Sequence, residues 1–141
     1  MAVQGTEQLL KDFERILKDN MQRIQNVTVA ASATVTAEMK SSIMGRSKTG
    51  KKWSSLPNRS SAAGEAPANQ SGDLSRAIRA ILSPDKLEAK VGVPNSANLN
   101  YAKWLEYGTR GMAPRPFVFP ALQKHKKKIT EDYKKALGVK L

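Results

Sequence analysis

The first 44 residues carry apolar side chains at steps of three and four, the spacing of one face of an α-helix. The members of this stripe are Leu9, Phe13, Ile16, Ile24, Val27, Ala31, Val35, Met39 and Ile43, with Asn20 as a polar interruption. Charged side chains occupy the other side, at Lys11, Asp12, Glu14, Lys18 and Asp19. No proline or glycine interrupts Thr6 to Met44, so the pattern predicts a helical segment over 1–44. The stripe predicts packing in the core or against another subunit rather than a ligand site.

Two features argue against a single straight helix in this segment. At about 1.5 Å per residue it would be long for so small a domain. Residues 27–36, VTVAASATVT, are rich in β-branched side chains, which lower helix preference. A bend or break is therefore expected in this run.

Residues 45–70, GRSKTGKKWSSLPNRSSAAGEAPANQ, follow neither the helical nor the strand period. Their glycine, serine, proline and lysine content predicts a long basic loop. Loops of this length are usually functional or disordered, so we expect this one to be mobile in the free subunit and ordered on assembly. Trp53 and Leu56 are apolar within it, and either pack on the protein's own core or dock on a neighbour.

Ser71-Gly72-Asp73 predicts the start of a short helix, because Ser71 or Asp73 can accept hydrogen bonds from free backbone N–H groups. Residues 78–82 fit either helix or strand. The segment 87–93, LEAKVGV, alternates apolar with polar or small residues, which predicts a strand. Because this strand needs a partner, we interpret the chain from about Ile78 as a strand as well. The intervening residues 83–86, SPDK, suit a type I turn, so a hairpin is predicted. A sheet of only two strands is marginally stable, so further strands are expected from this chain or from a neighbouring subunit.

The stretch 101–121, YAKWLEYGTRGMAPRPFVFPA, combines aromatic residues, glycines and prolines in an order that core packing alone does not require. A short helix is predicted to end at Gly108, and Pro120 suits the opening turn of the last helix. Trp104 and Phe117 are predicted to join these two helices in one cluster. The full predicted core of this half is Tyr101, Trp104, Leu105, Phe117, Leu122, Ile129 and Tyr133.

These elements predict one α+β domain spanning 1–141, in which long N- and C-terminal helices pack on a small antiparallel sheet. A long loop, 45–70, separates the first helix from the sheet. Residues 71–141 then supply a short helix, the hairpin, a second short helix and a C-terminal helix that ends at Gly138.

The net charge of +12 is unevenly distributed. Residues 1–44 contain five basic and five acidic side chains, whereas residues 45–72 contain five basic and one acidic. Residues 124–141 contain seven basic and two acidic. Most of the excess therefore lies in the loop and the last helix, where it is either a solvated surface or an attraction for phosphate or an acidic protein face.

Catalytic and metal chemistry have little support in this sequence. Cysteine is absent and His125 is the only histidine, so neither a nucleophile and base pair nor the usual metal ligands can be assembled. Glu106 is a lone carboxylate and is expected in a salt bridge or interface rather than as a base. Residues 45–52, GRSKTGKK, have Lys52 where a phosphate-binding loop needs Ser or Thr. We predict no enzyme activity, no cofactor and no metal.

No targeting or membrane segment is predicted either. The start, MAVQGTEQ, lacks the pattern of a signal peptide. The longest uncharged run, Ile24 to Ala37, is too short and too rich in threonine, glutamine and asparagine to span a bilayer. The lack of cysteine fits assembly in a reducing cytoplasm.

Five short blocks occur in order in the C-terminal half. They are Ala63-Gly64-Glu65-Ala66-Pro67, Ser71-Gly72-Asp73-Leu74, Val91-Gly92-Val93, Tyr101 to Thr109, and Arg115 to Ala121. This series resembles a family of neck proteins from long-tailed bacteriophages, described as tail-completion, tail-to-head joining or tail-terminator proteins. Ala66 departs from the second proline that is common in the family, and the N-terminal half matches only in being helical.

The resemblance implies a structural virion protein of the neck, assembled in the host bacterial cytoplasm. Family members form homo-oligomeric rings, usually of six subunits, that complete or cap the tail tube. The implied partners are the tail tube protein and the head connector or head-closure protein, with DNA passing through the lumen and no membrane involved. The alternative is a basic nucleic-acid-binding protein that uses the two basic segments, although no recognisable DNA- or RNA-binding motif is present.

The predicted interface draws on the sheet edge, the long loop and the segment from Tyr107 to Arg115. Its predicted residues are Lys51, Lys52, Trp53, Leu56, Tyr107, Gly108, Thr109, Arg110 and Arg115. The sequence leaves open whether the basic loop faces the lumen, a neighbouring subunit or another neck protein.

Overall fold

The computed structural model describes residues 4–45 and 47–138. The helices are α1 (Gln4–Met44), α2 (Asp73–Ala77), α3 (Tyr101–Tyr107) and α4 (Val118–Ala136). Strands β1 (Arg79–Leu82) and β2 (Ala89–Gly92) form an antiparallel pair, and a 3-10 turn covers Asn95–Ala97. The predicted α+β architecture, with a long loop between the first helix and the sheet, is confirmed.

α1 is one helix of 41 residues, about 60 Å long at 1.5 Å per residue. The predicted break between Val27 and Thr36 is wrong. The Thr28 hydroxyl donates to the Ile24 carbonyl at 3.0 Å and the Ser32 hydroxyl to the Val29 carbonyl at 2.8 Å, so these polar groups are satisfied within the helix. α4 packs along the same side, and this tertiary contact outweighs the weak local preference.

The hairpin forms as predicted, with Ile81 paired to Lys90 in the antiparallel register. Ile78 is fully buried and Ala80 and Leu82 are partly buried, while Ile81 on the other face is 52% exposed. The Lys86 N–H donates to the Ser83 carbonyl at 2.9 Å, which closes the predicted four-residue turn. β2 is shorter than its apolar alternation suggested, since it begins only at Ala89. No third strand joins this sheet within 4–45 and 47–138.

The core lies where the second half of α1 meets α2, α3 and the start of α4. Its buried apolar residues are Val35, Met39, Ile43, Leu74, Ile78, Ala102, Phe117 and Ala121. Phe117 is 2% exposed, as its predicted core position requires, and Leu105 and Ile129 pack against this cluster. Tyr133 is half-buried, and its hydroxyl lies 2.6 Å from that of Thr28.

Three predicted core residues are not buried. Trp104 is 54% exposed, Leu122 49% and Tyr101 38%. The reason is the orientation of α3, whose buried side is formed by Ala102 and, in part, Leu105 instead of the aromatic residues. The prediction that Trp104 joins Phe117 in one core cluster is therefore wrong for this single chain.

α4 begins at Val118, so Pro120 occupies its first turn as predicted. Gly138 follows the helix with a φ of +70°, and its N–H donates to the Lys135 carbonyl at 3.1 Å. α4 runs antiparallel to α1, because Tyr133 contacts Thr28 whereas Lys124 pairs with Glu38 at 3.0 Å. The start of α4 consequently lies near the C-terminal end of α1.

Candidate assembly interface

Glu106 holds the junction between α3 and α4. Its carboxylate accepts hydrogen bonds from the backbone N–H groups of Phe117 at 2.8 Å, Val118 at 3.0 Å and Phe119 at 2.9 Å. The first N–H groups of a helix have no partner inside the helix, and a negative charge is favoured there. Glu106 is thus a capping residue supplied by a neighbouring helix, a role that the sequence did not indicate.

The segment after α3 is a tight knuckle, which we define as residues 107–115. The Thr109 N–H donates to the Met112 carbonyl at 2.9 Å, and the Met112 N–H donates to the Thr109 carbonyl at 3.2 Å. Gly108 precedes this turn with a φ of +78°. A Cβ at Gly108 would lie 2.8 Å from the Met112 carbonyl oxygen, so only glycine fits.

The knuckle gathers the predicted interface residues of this region, but it does not expose them equally. Tyr107 is 75% exposed, and Thr109 and Arg110 are also on the surface. Gly108 is half-buried by the turn. Arg115 is half-buried as well, and its backbone N–H donates to the Leu105 carbonyl at 2.7 Å, so it fastens the knuckle to α3.

Glu65 organises the long loop from its base. Its carboxylate accepts from the Ala62 N–H at 2.8 Å and from the N–H of Thr49 at 3.1 Å, and it also accepts from the Thr49 hydroxyl. These hydrogen bonds, that of the Thr49 side chain first, lower the pKa of Glu65 from 4.5 to about 2. The described part of the loop, 47–70, contains no helix or strand, as predicted, yet it is cross-linked by side-chain contacts.

The tip of the loop presents a cation stacked on an aromatic ring. The Lys51 ammonium lies 4.0 Å from the centre of the Trp53 ring, and Trp53 is 47% exposed. Lys52 differs from its neighbour, since its ammonium donates to the carbonyls of Leu56 at 2.9 Å and Pro57 at 2.7 Å. Among the predicted loop contacts, Lys51 and Trp53 therefore face outward, whereas Lys52 ties the loop to itself.

Leu56 lies between the loop and the body of the protein. It is half-buried and lines a cavity of about 340 Å³ together with Tyr101 and Leu105. The sequence left open whether Trp53 and Leu56 pack on the protein itself or on a neighbour, and the structure places the two residues differently. Leu56 approaches the protein's own body, while Trp53 stands out from it.

The loop and the knuckle are directly joined. The Gly64 N–H donates to the Pro114 carbonyl at 2.9 Å. Gly64 and Ala66 of the block 63–67 also line one cavity with Phe117 and Ala121 of the block 115–121, so these two blocks lie close together beside the α3 and α4 junction. A backbone hydrogen bond therefore connects two of the predicted interface regions, the long loop and the knuckle.

An open apolar groove lies between α3 and the start of α4, with a volume of about 530 Å³. Phe117 and Ala102 belong to its lining, and its exposed edge includes Tyr107, Phe119 at 61% and Leu122 at 49% exposure. We call this feature the aromatic groove. The sequence does not indicate this groove, because helical spacing predicts Leu122 in the core and gives Phe119 no partner.

The first half of α1 carries a second exposed apolar surface. The exposed fractions of Leu9, Leu10, Phe13, Ile16, Leu17 and Met21 range from 67% to 45%. Farther along, the Gln25 side chain donates to the Asp85 carbonyl at 2.9 Å, which marks where α1 meets the hairpin. The stripe was recognised in the sequence as core or subunit packing, and only its second half, from Val35 on, lies in the core.

Basic side chains line the exposed side of α4. Lys126, Lys127 and Lys135 are on the surface, whereas Lys124 pairs with Glu38 and Lys128 with Asp132 at 2.7 Å. His125 is half-buried with its Nε2 atom 3.7 Å from a Glu38 oxygen. In the part of the chain that the structure describes, no group of three or more His, Asp or Glu residues is placed to hold a metal ion.

No described helix has the length and apolar character needed to cross a membrane. Comparisons of the chain with protein-family models, with curated proteins and with solved structures found no match. The motif resemblance to phage neck proteins therefore remains a prediction from the residues themselves.

Proposed function

We propose that this protein is a non-enzymatic component of the neck of a long-tailed bacteriophage. It forms a ring of identical subunits, expected to be six, that completes the tail tube and joins it to the head connector or head-closure protein. DNA passes through the lumen of this ring, and the protein is part of the virion.

The observation that carries the proposal is the contact between the sequence blocks on which the resemblance rests. The block 63–67 is bonded to the knuckle through Gly64 and Pro114, and Glu106 of one block caps the helix start that follows Arg115. These residues form one structural unit and not a set of scattered matches. A unit of this kind, with a hydrogen-bonded knuckle and an adjacent basic loop, suits presentation of a surface to a partner.

The exposed apolar surfaces support an assembled state. Tyr107, Phe119 and Trp104 are each more than half exposed, and large apolar patches on a protein surface usually mark interaction sites. The two-stranded sheet also has unpaired edges within the described residues, which a neighbouring strand can extend. Contacts between different surfaces of successive subunits close into a ring when the rotation between them is a simple fraction of a turn.

The test is a phage from which this coding sequence has been deleted. Filled heads and separate, complete tails are expected to accumulate, and supplying the protein in trans should restore joined particles. The measurement is electron microscopy of the lysate, with particle counts for both forms. Normal joined virions in the deletion would contradict the proposed function.

Binding of nucleic acid is the second candidate, favoured by the exposed lysines Lys126 and Lys127 and by a net charge of +12. Light scattering with and without DNA, across a salt series, separates the two functions. A DNA-binding protein should gain mass with DNA and lose it steeply as salt rises, because each phosphate contact releases counterions. A ring component should reach a discrete mass without DNA.

A further inference from the structure

The first half of α1 extends beyond the body of the protein. Residues 5–23 precede the contact between Gln25 and Asp85 and correspond to about 30 Å of helix at 1.5 Å per residue. The large apolar side chains of this part, from Leu9 to Met21, keep 45–67% of their surface exposed. We call residues 5–23 the projecting helix.

The apolar stripe of the projecting helix is broad. At about 100° per residue, its exposed apolar positions from Leu9 to Met21 span roughly 140° of the helix circumference. A seam between two paired helices is narrower, since it uses two positions in seven. The same stripe continues into Val35 and Met39, which pack on the protein's own core. The projecting helix is therefore shaped to lie on the body of a protein.

The aromatic groove is a second exposed apolar surface, and it lies at the other end of the molecule. Because α4 is antiparallel to α1, Phe119 and Leu122 lie near the level of Glu38, far from the projecting helix. The separation along α1 from Arg15 to Met39 is about 36 Å at 1.5 Å per residue. α1 is a continuous helix that leads away from the groove, so a chain cannot fill its own groove.

Charge also distinguishes the projecting helix from the rest of the chain. Residues 5–23 contain four basic and four acidic side chains, while the whole chain carries +12. A neutral helix approaches a strongly basic neighbour without the repulsion that a second basic surface would meet. An anionic membrane or nucleic acid would favour a helix with a positive net charge, whereas this segment is neutral.

We propose that the projecting helix of one copy packs into the aromatic groove of the next copy. Both unpartnered apolar surfaces are then covered by a single kind of head-to-tail contact. This contact rests on the proposed ring and specifies how neighbouring subunits in it are joined. Each subunit donates its helix at one end and receives a helix at the other, which leaves no groove empty once the ring closes.

Cross-linking between introduced cysteines tests the contact, because the natural chain has none. Leu17→Cys places a thiol on the projecting helix, and Phe119→Cys or Leu122→Cys places one in the groove. A mixture of a helix variant with a groove variant, treated with a short bis-maleimide, is expected to give a covalent dimer. A chain carrying both cysteines should give a ladder that ends at the size of the ring. Arg15→Cys, on the opposite side of the same helix, is the matched control and should cross-link at least tenfold less.

The possible results separate this contact from the proposed function. Cross-linking of Leu17→Cys with itself alone would show that helices pair with each other and would overturn the contact. Equal yields from Arg15→Cys and Leu17→Cys would also overturn it. A discrete ring measured by light scattering, without any link from 17 to 119 or 122, would exclude the contact while leaving the ring in place. A protein that stays monomeric with tail tubes and connectors present would exclude the proposed function itself.

Discussion

Glu106 and Glu65 are the residues that most clearly explain the motif-rich half of this chain. Each carboxylate accepts hydrogen bonds from backbone N–H groups that local structure leaves without partners, at the start of α4 and at the base of the loop. Such groups are costly to leave unpaired in a partly buried position. A single acidic residue next to a glycine-rich or proline-rich turn is thus a structural acceptor here.

Removal of the Glu106 carboxylate should destabilise the α3 and α4 junction. We expect Glu106→Ala to lower the free energy of unfolding by about 1–2 kcal/mol, because a helix start loses its cap. Glu106→Gln should cost less, since one amide oxygen still accepts. Chemical denaturation measures both, with the exposed Glu14→Gln as a control. Equal stability of Glu106→Ala and the control would contradict the capping role.

The exposed and buried aromatic residues predict opposite outcomes on truncation. Phe117→Ala should lower the free energy of unfolding by about 3–5 kcal/mol, because Phe117 is 2% exposed within the core. Trp104→Ala should change it by less than about 1 kcal/mol, since Trp104 is 54% exposed. Thermal and urea unfolding of the two variants provide the comparison. A large loss for Trp104→Ala would show that Trp104 contributes to the core.

At the scale of elements, the long loop is irregular but internally bonded. Beyond the contacts of Glu65, the Ser60 N–H donates to the Lys51 carbonyl at 3.0 Å. A Cβ at Gly50 would lie 2.5 Å from the Ser60 carbonyl oxygen, so the two arms of the loop approach at a point that only glycine permits. The loop is therefore fastened at its base, and Asn58 is also bonded to Asn69 and Gln70, which leaves residues 51–55 as its exposed tip.

Hydrogen exchange should resolve these two parts of the loop. The amides near Glu65 are expected to be protected in the free subunit, because they are bonded to its carboxylate. The tip, residues 51–55, should exchange quickly until the ring or neck is assembled and then become protected. Exchange measured in both states decides the question. Strong protection of the tip in an isolated monomer would contradict its ordering by a partner.

The loop base should also respond to acid. Because the ionised form of Glu65 accepts the bonds, its pKa in the folded state is about 2, below the ordinary 4.5. Its contribution to stability is complete above pH 4.5 and is lost as the pH falls toward 2. The protection of the Thr49 and Ala62 amides, measured against the intrinsic exchange rate at each pH, should fall across this window, and Glu65→Gln should show reduced protection already at neutral pH. Unchanged exchange in that variant would rule out this role of the carboxylate.

At the scale of the whole molecule, apolar surface extends well beyond the core. A small core is concentrated at one end of a helix of about 60 Å, and apolar side chains remain exposed on both the helix and the aromatic groove. In an isolated monomer neither apolar surface is buried, so neither contributes hydrophobic stabilisation. Association with a neighbour or a neck partner would bury both.

Charge reversal at the loop tip tests whether the basic loop takes part in that association. Lys51→Glu is expected to weaken association while changing monomer stability by less than about 0.5 kcal/mol, because Lys51 is exposed and its contact is with Trp53. Lys52→Glu should also perturb the loop, since it removes two bonds to carbonyls. Sedimentation of each variant, alone and with tail tubes, gives the measurement. Undiminished association of Lys51→Glu would exclude the loop from the interface.

The sequence by itself determined the element types and their order. Apolar periodicity located α1, α4 and the hairpin, and the turn chemistry of Gly108 and Pro120 located the end of α3 and the start of α4. These signals are local, because capping, turn geometry and side-chain alternation depend on near neighbours in the chain.

Only the tertiary structure decided which apolar residues are covered. Leu9 and Met39 belong to the same stripe, yet one is 67% exposed and the other fully buried, because the body of the protein ends between them. Tertiary packing likewise kept residues 27–36 helical, turned Trp104 outward and brought Glu106 to the start of α4. These outcomes depend on contacts between residues distant in the chain, and a local pattern carries no information about where such a contact ends.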